Sequence, residues 1–174
     1  MKTIVAYKSK SGFTKTYAQW IARELGCDLK ENPALSDISD YDTVIYGGGL
    51  YACNINGMRL ITGNMNKLRD KNLIIFAVGS NPGREENIKK LWDFALTPDQ
   101  RKVIKTFYLR GGFDYSKLSS TNKVLMSLLK KRLEHMSDPG EDEKGLLEAY
   151  NKPQDFTDKE NIKAVTEYVL SLNK

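Results

Sequence analysis

The chain has 174 residues, of which 40% are hydrophobic and 28% charged, and its formal net charge is +5. These values are typical of one soluble globular domain, and the mild basic excess suggests attraction to anions. No apolar run is long enough for a signal peptide or a membrane-spanning helix. Two cysteines and one histidine exclude a disulfide framework and argue against a zinc site or a Ser-His-Asp triad. We therefore expect a cytoplasmic protein with free thiols.

Short apolar runs alternate with helical patterns over the first two thirds of the chain. Strong strands are predicted at 2–7, 43–46, 72–78 and 105–110, and a weak edge strand at 28–32. Helices are predicted at 13–25, 57–69 and 84–94. Near-continuous apolar strands separated by helices are typical of a parallel sheet covered on both faces. We therefore expect an α/β fold, with a doubly wound five-stranded parallel sheet and helices on both faces, in a single domain over 1–174.

The last third departs from this alternation and predicts a helical insertion at about 113–150, after or within the last strand. A helix at 117–134 carries five basic residues and one acid beside several leucines, and the stretch at 138–148 carries five acids and one lysine. A final helix begins with Thr157-Asp158-Lys159-Glu160, a capping-box pattern, and is expected to pack on the sheet. The basic helix can be a solvated face neutralised by the acidic stretch, or it can contact a membrane surface, an acidic partner or an anionic ligand.

The loop after the first strand is the strongest candidate for a binding site. It places three hydroxyls, one glycine and the start of a helix within six residues: Ser9, Lys10, Ser11, Gly12, Phe13 and Thr14. Unpaired N–H groups and the positive end of the helix dipole favour an anion there, and hydroxyls donate hydrogen bonds to phosphate oxygens. The alternative is an ordinary capped helix start, but the hydroxyls recur beyond what one cap needs.

Other phosphate-binding patterns fit less well. The Walker pattern is absent, which argues against a nucleotide triphosphatase. Gly47-x-Gly49-x-x-Ala52 matches the dinucleotide fingerprint in its letters, but Asn54, Asn56 and Gly57 oppose the helix that should begin there. No nucleic-acid-binding motif is present and the net charge is modest, so we expect no nucleic-acid partner.

Three loops at the ends of predicted strands resemble those of flavodoxins. Ser9-x-Ser11-Gly12-x-Thr14 resembles their FMN phosphate loop, Gly48-Gly49-Leu50-Tyr51-Ala52 resembles the loop on one flavin face, and Val78-Gly79-Ser80-Asn81-Pro82 resembles the loop on the other. The resemblance implies FMN as cofactor, with Tyr51 in a position to stack on the ring; the alternative is that Tyr51 is a half-buried loop tyrosine. It implies that the phosphate is held by the six residues from Ser9 to Thr14, and the ring by Gly49, Leu50, Tyr51, Ala52, Gly79, Ser80 and Asn81.

The segment after the last strong strand narrows the resemblance further. The run 107–115, followed by a basic helix containing Leu125-Met126-x-Leu128-Leu129-Lys130, is similar to the menaquinone-dependent protoporphyrinogen IX dehydrogenases. This similarity implies an FMN-dependent oxidoreductase of haem biosynthesis that takes hydrogens from protoporphyrinogen IX and passes electrons to menaquinone. It also implies a cytoplasmic protein with peripheral membrane contact through the helix at 117–134. No side-chain acid or base is assigned. The alternatives are a soluble electron carrier that serves a partner protein and a flavin-free binding module.

Overall fold

Five parallel strands form the central sheet of the computed structural model, which describes residues 1–51, 54–118 and 120–172. The strands, in chain order, are β1 (Thr3–Lys8), β2 (Asp28–Glu31), β3 (Thr43–Tyr51), β4 (Asn54–Ile55), β5 (Asn72–Gly79) and β6 (Ile104–Arg110). The parallel strands follow the order β2-β1-β3-β5-β6, and the short β4 pairs antiparallel with the end of β3. The predicted five-stranded, doubly wound parallel sheet is therefore confirmed.

Helices cover both faces of this sheet. They are α1 (Phe13–Leu25), α2 (Ser36–Ser39), α3 (Arg59–Thr62), α4 (Met65–Leu68), α5 (Glu85–Ala95), α6 (Pro98–Val103), α7 (Ser120–Glu134), α8 (Glu141–Asn151) and α9 (Lys163–Ser171), with 3₁₀ turns at Tyr115–Lys117 and Lys159–Ile162. Residues of α1 and α9 pack with Val5, Ile45 and Phe76 in one buried cluster. Residues of α3, α4 and α5 pack on the opposite face in a second cluster that contains Ile75 and Tyr46. Alternate strand residues enter opposite clusters, which explains the near-continuous apolar runs.

The single helix predicted at 57–69 is wrong. The segment forms two separate helical turns, α3 and α4, divided at Gly63 and Asn64. The side-chain amide of Asn64 donates to the carbonyl of Leu60 at 2.9 Å, in place of the backbone N–H that would continue the helix. The apolar spacing correctly predicts that Ile61 and Leu68 are buried, but it gives no sign that the helix is interrupted between them.

Strand β3 continues five residues beyond its predicted end at 46. Its extension begins at Gly47, where a Cβ would overlap the Phe76 ring and lie 2.6 Å from Cε2 and 2.7 Å from Cε1. Only a glycine lets the strand pass under this buried ring. The extension ends in the β3–β4 pairing of Leu50 with Ile55, so Gly49 and Leu50 lie in regular strand.

The helical segment of the last third follows the last parallel strand. It contains α7 and α8 and lies between two short strands, β7 (Gly112–Phe113) and β8 (Gln154–Asp155), which pair antiparallel. The hydroxyl of Tyr17, in α1, donates to the Arg110 carbonyl at 2.6 Å and accepts from the Asp158 N–H at 3.2 Å. Tyr17 is fully buried, so one hydroxyl joins the two ends of this segment to the core. None of the helices in the described ranges has both the length and the apolar character needed to cross a membrane.

Candidate cofactor site

The carboxyl ends of β1, β3 and β5 bring the three predicted loops to one edge of the sheet. The chain adds β2 on one side of β1 and then β3, β5 and β6 on the other side. The direction of winding therefore reverses next to β1. Ligands of doubly wound sheets bind in the crevice at this point of reversal. The arrangement therefore brings together the Ser9–Thr14 loop, the end of β3 and the turn after Gly79.

The first loop leaves the start of α1 open to an anion. Gly12 precedes the helix with a φ of 96°, in the left-handed region where glycine is favoured. Its N–H donates to the Ser9 hydroxyl oxygen at 3.1 Å, so Ser9 orders the loop itself. No side chain of the described residues caps the helix, and its first turn contains no acid. The N–H groups of that turn and the positive helix end thus lack an acceptor from a side chain, which is what an anion would supply.

Ser11 and Thr14 join this loop to the end of β3. The Ser11 hydroxyl lies 3.4 Å from the Tyr51 hydroxyl, and either can be the donor. Thr14 is buried, and its hydroxyl oxygen lies 3.3 Å from where a Cβ on Gly49 would stand. A side chain at Gly49 would therefore displace contacts between the two loops, and glycine allows them to approach.

The ring of Phe13 packs in the interior rather than facing the first loop's open helix start. The ring is buried, and a Cβ on Gly112 would lie 2.7 Å from its Cζ. Its side chain thus packs against the strand that leads into the helical segment. The predicted site residue Phe13 can offer only its N–H to a ligand.

The loops after β3 and β5 meet through Leu50 and Gly79. The Cδ2 atom of Leu50 lies 3.3 Å from where a Cβ on Gly79 would stand. Leu50 and Tyr51 are half-buried, as is Ser80, whereas Asn81 is exposed. These side chains lie at or just after the carboxyl ends of β3 and β5. The predicted site residue Ala52, and its neighbour Cys53, lie outside the described residues.

Two tyrosines that the sequence did not single out hold these loops in place. The Tyr46 hydroxyl donates to the Asn56 carbonyl at 2.8 Å, and the Tyr108 hydroxyl donates to the Asn81 carbonyl at 2.8 Å. A Cβ on Gly79 would lie 2.7 Å from the Tyr108 hydroxyl, so this ring lies directly beneath the turn. The apolar strands predict that both rings are inside, but the sequence gives no signal for the carbonyl that each hydroxyl reaches.

Replacing Tyr108 by phenylalanine should loosen the turn after β5. The ring would still fill the space beside Gly79, but the Asn81 carbonyl would lose its donor, which typically costs about 1 kcal/mol. We expect the free energy of unfolding to fall by about that amount and amide exchange at Gly79 and Ser80 to accelerate. The matched control is Tyr41→Phe, whose hydroxyl donates to Asp28 at the surface. Equal losses in the two variants would contradict a special role for Tyr108.

The same two tyrosines, Tyr46 buried and Tyr108 half-buried, make the fold sensitive to alkaline pH. Burial raises the pKa of Tyr108 to about 12 and raises that of Tyr46 further, from an ordinary value of 10.0. The unfolded chain therefore loses these protons at lower pH than the folded chain. Stability that is fully present below pH 10 should be lost as the pH rises towards 12, which urea unfolding at several pH values measures. The double variant Tyr46→Phe/Tyr108→Phe should show a flatter decline; an unchanged slope would contradict this assignment.

Two lysines and one carboxylate lie close to the first loop. Lys10 and Lys15 flank the first loop, and the Lys15 ammonium lies 3.8 Å from the Glu31 carboxylate. Within the described residues, no group of three or more His, Cys, Asp or Glu could hold a metal ion. Burial raises the pKa of the half-buried Cys27 thiol to about 11, which keeps it protonated near neutrality.

Comparison with known proteins gives one family match. The sequence profile of the Flavodoxin domain matches residues 4–139, and no curated protein sequence matches the chain. A WrbA-like flavodoxin from Agrobacterium tumefaciens is 16% identical, with 62% of this chain and 82% of that chain covered and a TM-score of 0.42. A flavoprotein in complex with FMN from Lactobacillus acidophilus NCFM is 15% identical, with 63% and 91% covered and a TM-score of 0.37. A flavodoxin from the domain Archaea is 16% identical, with 75% and 98% covered and a TM-score of 0.37.

Proposed function

The chain belongs to the flavodoxin domain family, and from its site we propose that it is an FMN-dependent oxidoreductase. The observation that carries the proposal is the open start of α1, where Gly12 adopts a left-handed conformation and no described side chain caps the helix. The same helix start has Ser11 and Thr14 beside it. Backbone donors, hydroxyls and a helix dipole in one loop are the chemistry that a phosphate monoester needs.

In this proposal, the flat ring of the cofactor would lie beside this loop. Gly49 and Gly79 let backbone approach closely, while Leu50 and Tyr51 supply apolar and aromatic surface. The N–H groups of the turn after Gly79 would meet the polar edge of the ring. Bound FMN would supply the transfer of hydrogen or electrons.

The chain itself would bind and orient. Ser11, Thr14 and the N–H groups at the start of α1 would hold the phosphate, with Lys10 and Lys15 adding positive charge. Tyr108 would fix the turn that meets the ring edge, through its hydrogen bond to Asn81. No side chain is proposed as a general acid or base.

The proposed substrate is protoporphyrinogen IX, with menaquinone as electron acceptor, in haem biosynthesis. The support is the similarity of the segment after β6 together with its aromatic and basic character. The ring centroid of Tyr150 lies 5.4 Å from that of Phe113 and 5.3 Å from that of Tyr115. The Lys117 ammonium lies 5.9 Å from the ring centroid of Phe13. Aromatic and cationic groups beside the cofactor loop suit a planar substrate that carries carboxylates.

Peripheral membrane contact at the cytoplasmic face is part of this proposal, because menaquinone is a membrane quinone. Helix α7 leaves Val124 and Leu128 exposed at 62% and 60%, four residues apart on one face, and Lys131 and Arg132 are exposed at its end. Among the side chains that the structure describes, no ion pair joins α7 to α8. In this proposal, the exposed basic end of α7 would face anionic lipid.

The first test is the visible spectrum of the purified protein, followed by titration with FMN. A flavin spectrum, or tight binding of added FMN, supports the proposal; a colourless protein that binds no FMN contradicts it.

Anaerobic mixing with protoporphyrinogen and a menaquinone analogue then tests the substrate by porphyrin fluorescence. FMN binding without fluorescence above the enzyme-free control would favour a soluble electron carrier.

Vesicle flotation tests the membrane contact. The wild-type protein should float with anionic vesicles more than with neutral ones, and the Val124→Ser/Leu128→Ser variant should float less.

A further inference from the structure

Lys10 lies in the phosphate loop but contacts an aromatic ring. Its ammonium nitrogen is 4.8 Å from the centroid of the Tyr51 ring, within the range of a cation–π interaction. In the part of the chain that the structure describes, Lys10 has no carboxylate partner. The charge of this exposed lysine is therefore directed at Tyr51.

Two further contacts of Tyr51 with described residues fix one edge and one end of its ring. The hydroxyl lies 3.4 Å from the Ser11 hydroxyl, and Cε2 lies 2.9 Å from where a Cβ on Gly49 would stand. These contacts alone leave the ring free to tilt about the line that joins them. Lys10 is the residue whose charge lies over the ring face, and a cation there limits that tilt.

We propose that Lys10 is a positioning residue that acts through Tyr51, rather than a ligand of the cofactor phosphate. The inference rests on the proposed function, in which Tyr51 covers the flavin ring. When a flat ligand lies beside Tyr51, the ring is shielded from water, and a cation–π contact strengthens as its groups are desolvated. Lys10 should thus favour binding of the ring portion of the ligand.

Riboflavin separates the two roles because it carries the ring without the phosphate. Lys10→Met keeps most of the length of the side chain and removes its charge. We expect it to weaken riboflavin binding about two- to fivefold, and FMN binding by the same factor plus the slight long-range loss that any lysine beside the phosphate contributes, measured by flavin fluorescence titration. Lys10→Arg should restore both affinities, since a guanidinium also stacks on aromatic rings. A loss confined to FMN would overturn the proposal, because only a phosphate contact discriminates in that way.

A double-mutant cycle tests whether the effect passes through Tyr51. In a Tyr51→Leu background, Lys10→Met should leave riboflavin affinity unchanged and lower FMN affinity only by the slight long-range effect, because the ring on which Lys10 acts is gone. An equal effect of Lys10→Met in both backgrounds would overturn the proposal. If wild-type protein binds FMN but not riboflavin, the FMN arm of the cycle decides.

Lys15→Met is the matched control for long-range charge. Lys15 lies in the first turn of α1 and faces Glu31, so its loss should lower FMN affinity slightly and leave riboflavin affinity unchanged. Thermal unfolding of each variant verifies that these exposed substitutions preserve the fold. Wild-type protein that binds neither flavin would overturn the proposed function and this inference together, whereas flavin binding without coupling to Tyr51 overturns this inference alone.

Discussion

Replacing Ser11 by glutamate should weaken FMN binding by about hundredfold or more. The variant would place a carboxylate in the loop proposed to hold the phosphate dianion. Two like charges about 4 Å apart repel by several kcal/mol at the edge of a protein, and about 2.8 kcal/mol corresponds to a hundredfold change in affinity. Titration of the apoprotein with FMN, followed by flavin fluorescence, measures the effect.

Ser11→Gln is the control for this substitution because it adds the same bulk without charge. It loses the hydroxyl beside Tyr51 and should cost far less than the glutamate. Riboflavin binding should respond alike to both variants, since no phosphate is present to be repelled. If Ser11→Glu binds FMN as well as wild-type protein does, the phosphate lies elsewhere and the assignment of the Ser9–Thr14 loop is wrong.

The sheet and the uncapped start of α1 could be predicted because their signals are local. Apolar runs such as 72–78 are buried on both faces and define strands without knowledge of their neighbours. The open helix start at Gly12 is likewise predicted by adjacent residues, because the hydroxyls of Ser11 and Thr14 flank this glycine where the apolar helix pattern begins. Local sequence therefore predicts the sheet and the first of the three loops of the candidate site.

The support of the site could not be predicted because it depends on residues distant in sequence. The Tyr108 hydroxyl reaches Asn81, 27 residues away, and the Tyr17 hydroxyl reaches Arg110, 93 residues away. The pairing of β7 with β8 is similarly non-local, because each strand has only two residues and no apolar run of its own. Periodicity shows that such rings are buried, while the carbonyl that each hydroxyl meets is decided only by the packed fold.

The extension of β3 shows the same limit at Gly47. Three consecutive glycines ordinarily indicate a loop, because glycine weakens a strand and adds no packing. Here the Phe76 ring covers Gly47 from the neighbouring strand β5 and supplies the buried surface that the glycine lacks. The strand thus continues because of a partner that its own sequence does not reveal.

Gly47→Ala should accordingly destabilise the protein by about 1–3 kcal/mol, the usual cost of overpacking a core. The added methyl would overlap the fully buried Phe76 ring, which close-packed neighbours prevent from moving freely. At 2–4 °C per kcal/mol for a chain of this size, the melting temperature should fall by about 2–12 °C. Thermal and urea unfolding measure both quantities.

Gly145→Ala is the matched control, since it adds the same methyl where the structure has room. Gly145 lies in α8, and a Cβ there would meet nothing within 4 Å. Alanine is favoured over glycine in a helix by about 1 kcal/mol, so this variant should be as stable as wild-type protein or slightly more stable. Combining Gly47→Ala with Phe76→Leu should recover part of the lost stability, because the smaller side chain vacates the space that the methyl needs. Additive losses in that double variant would show that Gly47 is required for a reason other than the Phe76 ring.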